Sequence, residues 1–442
     1  MTDIDDLRPY DGSLGPIEAR LVDRRITVAM DPSGRVSLIR PNSVIVELDD
    51  PERVAGVLKM PALEVLGGAS PATSSSEVIG ARDRSIERSA TARQVDDARR
   101  LASTLRDAKL RVRANHVFLA DGVGARFGVV GDDGSSPTPG IGPPTEVDST
   151  ARPALPPRRL PAPLRLAGRR PPHVLVLDTG LRTRNGQPEH PYLANCRVHR
   201  GWLDYKRNGP TGRFDDEDED DDDRRGQLDT QGGHGTFISG IIRQHCPDAV
   251  VHHSGVLTSF GDGDHASIAG AVERALGRRP DGYDIVVMAL GTYSIGDDAA
   301  AMAEVVARLL STSLVVASAG NDATSRPYFP AALPDVIAVG ALDQAGRAAF
   351  SNFGSWVDAC APGVDIVSTF FCDFDDKRPG RHGVDRYRGW AAWSGTSFAA
   401  PQVAASIAQE MYLQGGTAHE AWHRLTAGPR FRLPDLGHVF NA

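Results

Sequence analysis

Between residues 173 and 342 the chain alternates short, continuously apolar runs with stretches of helical periodicity, and few folds accommodate that pattern. His173-Val-Leu-Val-Leu-Asp178 holds an unbroken apolar run, as a strand covered on both faces requires. Ala249–Leu257, Tyr283–Gly291, Ser313–Gly320 and Asp335–Leu342 repeat the theme. Between them, Ile268, Ala271, Val272, Ala275 and Leu276 share one helical face, and Met302, Val305, Val306, Leu309 and Leu310 share another. The pattern predicts an α/β fold: a mostly parallel central sheet, right-handed crossovers and helices on both faces. Sheets of this kind collect sites in the loops beyond the carboxyl ends of their strands.

The flanking regions differ in kind. Within residues 1–130, Ser43–Asp49 and Arg111–Ala120 alternate as half-buried strands, with a Ser/Ala-rich loop at Ala69–Ser76. Val95, Ala98, Ala102 and Leu105 fall at helical spacing, so a small α+β domain is expected there. Residues 131–172 hold 11 of the 31 prolines, and the pairs Arg158-Arg159 and Arg169-Arg170. Such a composition buries too little apolar surface to offset chain entropy, which predicts an extended linker. The third unit is 173–442.

Charge and cysteine content narrow the function classes. The formal charge is −8, but Asp215–Asp223 alone is nine consecutive acids, so the remainder is nearly neutral. No basic face calls for nucleic acid, and no apolar run is long enough to cross a membrane, so neither partner is expected. The acidic start Met1-Thr2-Asp3-Ile4-Asp5-Asp6 lacks the basic and apolar regions of a secretory signal, giving an expectation of a cytoplasmic location. Cys196, Cys246, Cys360 and Cys372 form no CxxC pair and are expected to be free thiols.

Three polar groups stand at element ends bordered by glycine. Asp178-Thr179-Gly180 follows the first apolar strand. Gly232-Gly233-His234-Gly235-Thr236 opens a helical pattern, and Ser394-Gly395-Thr396-Ser397 opens another whose Pro401 is placed in the first turn. A serine hydroxyl is a poor nucleophile until an adjacent base takes its proton, and that base needs a third group to fix its tautomer. A carboxylate, an imidazole and a hydroxyl supply the set. Each signal alone reads equally as a strand exit, a loop histidine or a helix cap; their joint occurrence in one α/β unit decides the matter.

In that order, Asp-His-Ser, the chain resembles the subtilisin-like serine proteases, the subtilase family, for which the order is a known signature. The resemblance extends to Gly395-Thr396-Ser397-Phe398-Ala399-Ala400-Pro401, Ser318-Ala319-Gly320-Asn321, Phe329-Pro330-Ala331, Val336-Ile337-Ala338-Val339-Gly340, Phe350-Ser351-Asn352-Phe353-Gly354 and Ala361-Pro362-Gly363. It implies Ser397 as nucleophile, His234 as general base and then acid, Asp178 as the carboxylate orienting His234, and Asn321 as oxyanion donor. It also implies a protein or peptide substrate bound as an extended strand between two edges. Gly255, Leu257, Gly261 and Gly263 mark one edge and Ala289, Leu290 and Gly291 the other, with Ser318, Ala319 and Gly320 lining the first pocket. No cofactor is implied.

The match departs from the family at two places. Gly235–Cys246 leaves no room for the calcium-binding loop the family often inserts after its histidine, so no metal is expected there. The acidic tract Asp215–Asp223 reads either as a solvated loop or as a recruiter of basic substrates. His252 and His253 read as packing residues. Residues 1–130 fit an inhibitory prosegment by pattern and position, or a permanent regulatory domain. The resemblance implies an endopeptidase; with a cytosolic location, limited processing of proteins or leader peptides is the expectation. The alternative is a latent protease scaffold held inactive by its own N-terminal region.

Overall fold

The computed structural model describes residues 7–9, 26–30, 36–47, 63–68, 76–81, 98–103, 105–106, 112–120, 152–199, 228, 231–259, 261–293, 298–375, 386–428 and 431–440. The acidic tract, the first part of the expected linker and the Ala69–Ser76 loop, apart from its last residue, lie outside these.

The N-terminal region contributes β1 (Arg8–Pro9), β2 (Thr27–Met30), β3 (Val36–Glu47), β4 (Leu63–Gly68), β5 (Ser76–Ala81) and β6 (Val112–Ala120). They form an antiparallel sheet in the order β1-β2-β3-β5-β4, and β6 also pairs with β3. Residues 98–103 and 105–106 are helical and bury Ala98, Ala102 and Leu105 of the expected face, whose first member, Val95, lies outside the described residues.

A short strand β7 (Arg152–Pro153) leads into the body, which continues with β8 (His173–Asp178), β9 (Arg197–His199), α1 (His234–His245), β10 (Val250–Gly255), β11 (Asp262–Asp264) and α2 (His265–Arg278). Next come β12 (Ile285–Met288), β13 (Leu290–Gly291), α3 (Asp298–Leu310), β14 (Leu314–Ser318), β15 (Val336–Asp343) and β16 (Ala359–Pro362). The chain ends with β17 (Ile366–Thr369), β18 (Trp390–Trp393), α4 (Thr396–Gln414), α5 (Ala418–Thr426), β19 (Arg432–Leu433) and β20 (Gly437–Val439). The central sheet runs β9-β10-β8-β12-β14-β15-β16-β20-β19, parallel from β9 through β20.

Both faces of this sheet are covered, which is why its strands read as unbroken apolar runs. Val174 and Val176 pack into one core with Phe237 and Ile241 of α1 and Val403 of α4. Leu175 and Leu177 pack into the other with Ile268 and Val272 of α2 and Val306 of α3. All four β8 side chains are fully buried, each worth about 2 kcal/mol of transfer free energy. The strand order reverses around β8, and the crevice at that reversal is where an open α/β sheet offers room for a ligand.

Two expectations need correction. The Pro-rich segment is not a free linker over residues 152–172, because polar groups of the body hold its backbone in place of a core. Asp248 accepts the Leu164 and Arg165 N–H groups at 2.7 and 2.9 Å, the Tyr412 hydroxyl accepts that of Leu166 at 2.7 Å, and Arg170 reaches Asp284 at 2.8 Å. Pro401 does not fall in the first turn: α4 already begins at Thr396, so Pro401 is the sixth helical residue and withholds a donor from the Ser397 carbonyl.

Candidate active site

Asp178 ends β8, and its Oδ1 accepts two hydrogen bonds, from His234 Nδ1 at 2.7 Å and from the Thr179 N–H at 2.8 Å. His234 is the first residue of α1, and Gly233 before it adopts φ +83, a conformation that favours glycine. Space demands glycine as well, since a Cβ on Gly233 would collide with the Phe370 ring. The His234 ring is fixed by Trp393, edge-on at 5.4 Å between centroids, and by Phe398 at 5.3 Å. Asp178 and His234 have 0% and 1% of their side chains exposed, so their hydrogen bond is shielded from water.

Ser397 is the second residue of α4, after the turn Ser394-Gly395, and is buried. Its neighbour Phe398 carries the ring that meets His234, and α4 packs against α1 through Phe237 and Phe398 at 4.6 Å. Asp178 at the end of β8 and His234 at the start of α1 thus meet, and Ser397 stands at the start of α4, which packs against α1. The aligned peptide dipoles at the start of α4 give Ser397 a positive potential, suited to a developing oxyanion.

Asn321 is locked relative to that helix. Its Oδ1 accepts the Thr396 N–H at 2.9 Å, and the Gly320 N–H donates to Thr396 Oγ1 at 3.2 Å. With the oxygen engaged, the amide presents Nδ2 near Gly395, where an added Cβ would sit 3.5 Å from it. Asn352 secures the loop from behind: its Nδ2 donates to the Ala319 carbonyl at 2.8 Å and its Oδ1 accepts from the Asp322 and Thr324 N–H groups. Asn352 lies in the Phe350–Gly354 segment, where sequence alone points to no such role.

The two expected edges exist, and a strand lies between them. The end of β6 pairs antiparallel with β11 (Asp262↔Leu119, Gly263↔Phe118, Asp264↔Val117) and with β13 (Leu290↔Ala120, Gly291↔Leu119). The Ala120 N–H also donates to the Gly261 carbonyl at 2.7 Å. Phe118 and Ala120 are buried in the core that contains Leu257, Ile268 and Leu290. Gly261, Gly263, Leu290 and Gly291 therefore sit on or beside the two segments that β6 pairs with. Gly255 and Leu257 do not: Gly255 pairs with Asp178 inside the central sheet, and Leu257 turns its side chain into the core. Ala289 is buried between β12 and β13, and Ser318 closes β14 with Ala319 bonded back to Val339.

Sequence reasoning also missed Arg40. From β3 its guanidinium reaches Asp262 at 2.9 Å and Asp264 at 3.3 Å on β11. Asp264 at the same time caps α2 by accepting the Ser267 N–H at 3.0 Å.

All four cysteines are free, and burial pushes the thiols of Cys196, Cys246 and Cys360 up to about 12. His252 is hydrogen-bonded on both sides, to His173 at 2.8 Å and to His199 at 2.9 Å. Among the described residues no three of His, Cys, Asp or Glu group as a metal ion would require, and α1 runs uninterrupted.

With this geometry in hand, the comparison with known proteins is direct. The model of the subtilase family matches residues 170–425. The chain belongs to the subtilase family. Among curated subtilases it is 50% identical over 93 residues to a thermophilic serine proteinase of Bacillus sp. (strain AK1), covering 21% of this chain and 20% of that protein. It is 34% identical over 190 residues to subtilisin of Bacillus pumilus (40% of this chain, 62% of that one) and to subtilisin E of Bacillus subtilis strain 168 (40% and 44%). The chain thus spans less than two thirds of each of these relatives. Among solved structures, a lanthipeptide protease superposes with a TM-score of 0.48 at 22% identity, covering 60% of this chain and 84% of that one.

Proposed function

We propose that this subtilase is a serine endopeptidase that hydrolyses peptide bonds through an acyl-enzyme on Ser397, acts on few sites in protein or leader-peptide substrates, and is held latent by residues 1–130. The observation that carries the reading is the 2.7 Å hydrogen bond between buried Asp178 and His234, set at the head of α1 beside the helix that begins at Ser397.

In this reading Ser397 Oγ attacks the substrate carbonyl while His234 takes its proton, and Asp178 stabilises the resulting imidazolium. The carbonyl oxygen becomes an oxyanion, met by Asn321 Nδ2 and the Ser397 N–H. His234 then returns the proton to the departing amine, the acyl-enzyme remains, and water repeats the sequence to release the acid. The substrate backbone adds as a strand between Gly261–Gly263 and Leu290–Gly291, so main-chain hydrogen bonds supply affinity. Latency is supported by β6, whose Val117–Ala120 pairs with both of those edges and leaves them no free backbone partner for a substrate.

The test is intact mass spectrometry and fluorophosphonate labelling of the full chain beside Ser397→Ala. The expectation is one probe per wild-type molecule, taken up faster once the N-terminal region is released, and none on the variant. Turnover of peptides should fall about 10⁶-fold in Ser397→Ala, a figure known for subtilisin's own serine and carried over to this chain. A correctly folded Ser397→Ala protein that still cleaves peptides would end this reading.

A further inference from the structure

The site holds a second buried imidazole that the chemistry above does not use. His253 of β10 pairs with Val176 of β8, so its side chain lies on the face that carries Val176 and Asp178, one diagonal step from the carboxylate. It is fully buried. Its ring packs against Gly235, the residue after His234: a Cβ there would stand 2.6 Å from His253 Nε2 and would collide with the Gly180 carbonyl. The imidazole therefore supports the first turn of α1 from beneath.

Its polar atoms are more unusual than its packing. Among the described residues, neither ring nitrogen of His253 has a hydrogen-bond partner of ordinary geometry, although the Gly235 backbone lies close enough to favour protonation of the ring, and Asp178 Oδ2 has no such partner. Buried polar groups are nearly always paired, and an apolar side chain would fill this space without the cost of dehydrating two nitrogens. Burial holds the ring well below the usual imidazole range, at about 4, so it is neutral near pH 7. The charged and titratable groups it faces are Asp178 on β8, which favours its protonation, and His234 on α1 and His199 on β9, which oppose it.

We propose that His253 is a positioning residue for the Asp178–His234 pair, holding Gly235 and the first turn of α1 at a fixed height and setting a neutral imidazole dipole on the Asp178 side of the site. Asp178 Oδ1 is already committed to His234 and Thr179, and the His253 ring on the same face of the sheet limits how far the carboxylate can swing. His253 reaches the reaction only through those two residues, and the inference rests on the peptidase reading for its effect on rate, not for its effect on the pair.

The experiment compares the full-length wild type with His253→Leu and His253→Gln by thermal unfolding, by the low-field proton resonance of His234 Nδ1–H, and by the pH profile of fluorophosphonate labelling. In His253→Leu the resonance should shift or broaden by exchange and labelling should slow about tenfold while unfolding stays near that of the wild type. His253→Gln, polar and neutral, should restore labelling to within about threefold. Should the leucine variant not fold, His253→Met is read in its place. An apolar variant that keeps both the resonance and the labelling profile of the wild type overturns the proposal. A wild type that takes up no probe even after release of the N-terminal region sinks the peptidase reading instead, and the resonance comparison still decides His253.

Discussion

Replacing Arg40 with glutamine should open the cleft. The Arg40 guanidinium spans Asp262 and Asp264, with side chains 12%, 4% and 22% exposed, on the strand whose backbone holds β6. Removing one member of a buried ion pair costs about 3–5 kcal/mol, largely because the partner charge stays behind without compensation. Asp264 keeps some contact with water, so the lower end of that range, about 3 kcal/mol, applies. Asp262 retains the Thr258 hydroxyl at 2.7 Å but loses the Arg40 guanidinium. All of this cost falls on the docked state, because the undocked edge exposes both carboxylates to solvent. At about 1.4 kcal/mol per tenfold, the population with a vacant cleft should rise by about two orders of magnitude. The assay is the rate of fluorophosphonate labelling of the uncut chain under conditions where opening limits the reaction, with thermal unfolding of the body followed in parallel. Arg40→Gln should label about 100-fold faster than wild type, with body unfolding unchanged. Equal rates for the two proteins would refute the argument that this ion pair holds β6 in the cleft.

Two further outcomes follow from the geometry. Gly235→Ala places a Cβ against the Gly180 carbonyl and 2.6 Å from His253 Nε2; because one neighbour is backbone, the site cannot yield, and unfolding should move down by about 3 kcal/mol or more in a urea titration. Acid should weaken the fold: burial holds His173, His190, His199 and His253 at about 4 and His252 at about 3, all below 6.5. Their contribution is complete above pH 6.5 and is lost as pH falls toward 4, because the unfolded chain binds protons the native state refuses. For fully buried His253 alone, two pH units are worth about 3 kcal/mol, so urea midpoints at pH 7 and 4.5 should differ clearly, and a flat profile would contradict the burial of these rings.

What was legible in the sequence was whatever side-chain pattern dictates. The runs at 173–178 and 314–318 appear as strands because a doubly covered strand has no polar face, and β8 spans the six residues read for it. Asp178 and His234 were legible because glycine-bordered polar groups at element ends are rare in combination, whereas Asn321 follows only from the family resemblance. Backbone pairing was not legible, since a main-chain hydrogen bond leaves no mark on residue type. That is why Gly255 and Leu257 were assigned to the edge when Gly255 belongs to the central sheet, and why β6 could be predicted as a strand but not as the occupant of the cleft. The order of residues 164–170 escaped for a related reason: it depends on single carboxylates, Asp248 and Asp284, more than 80 residues away in sequence. His253 was read as packing, which is correct as far as its volume goes and silent about its nitrogens.

The cleft of this fold poses a problem that its N-terminal strand resolves. A site that recognises substrate as an added strand must keep two edges unpaired, and unpaired edges invite pairing with any extended chain. In this protein β6 closes both edges at once, joining β3 on the N-terminal side to β11 and β13 on the body in one eight-stranded sheet. In the proposed reading, the hydrogen bonds that protect the edges are the same ones a substrate must replace, and the two roles cannot be tuned apart by changing backbone contacts. Side chains can separate them. Arg40 lies off the strand that fills the cleft, and its guanidinium reaches two carboxylates of β11, so in the proposed reading substitution there changes how long β6 stays more than what the vacated edges offer to a substrate. Replacing Phe118, which fills the core beside Leu257 and Ile268, would instead alter both.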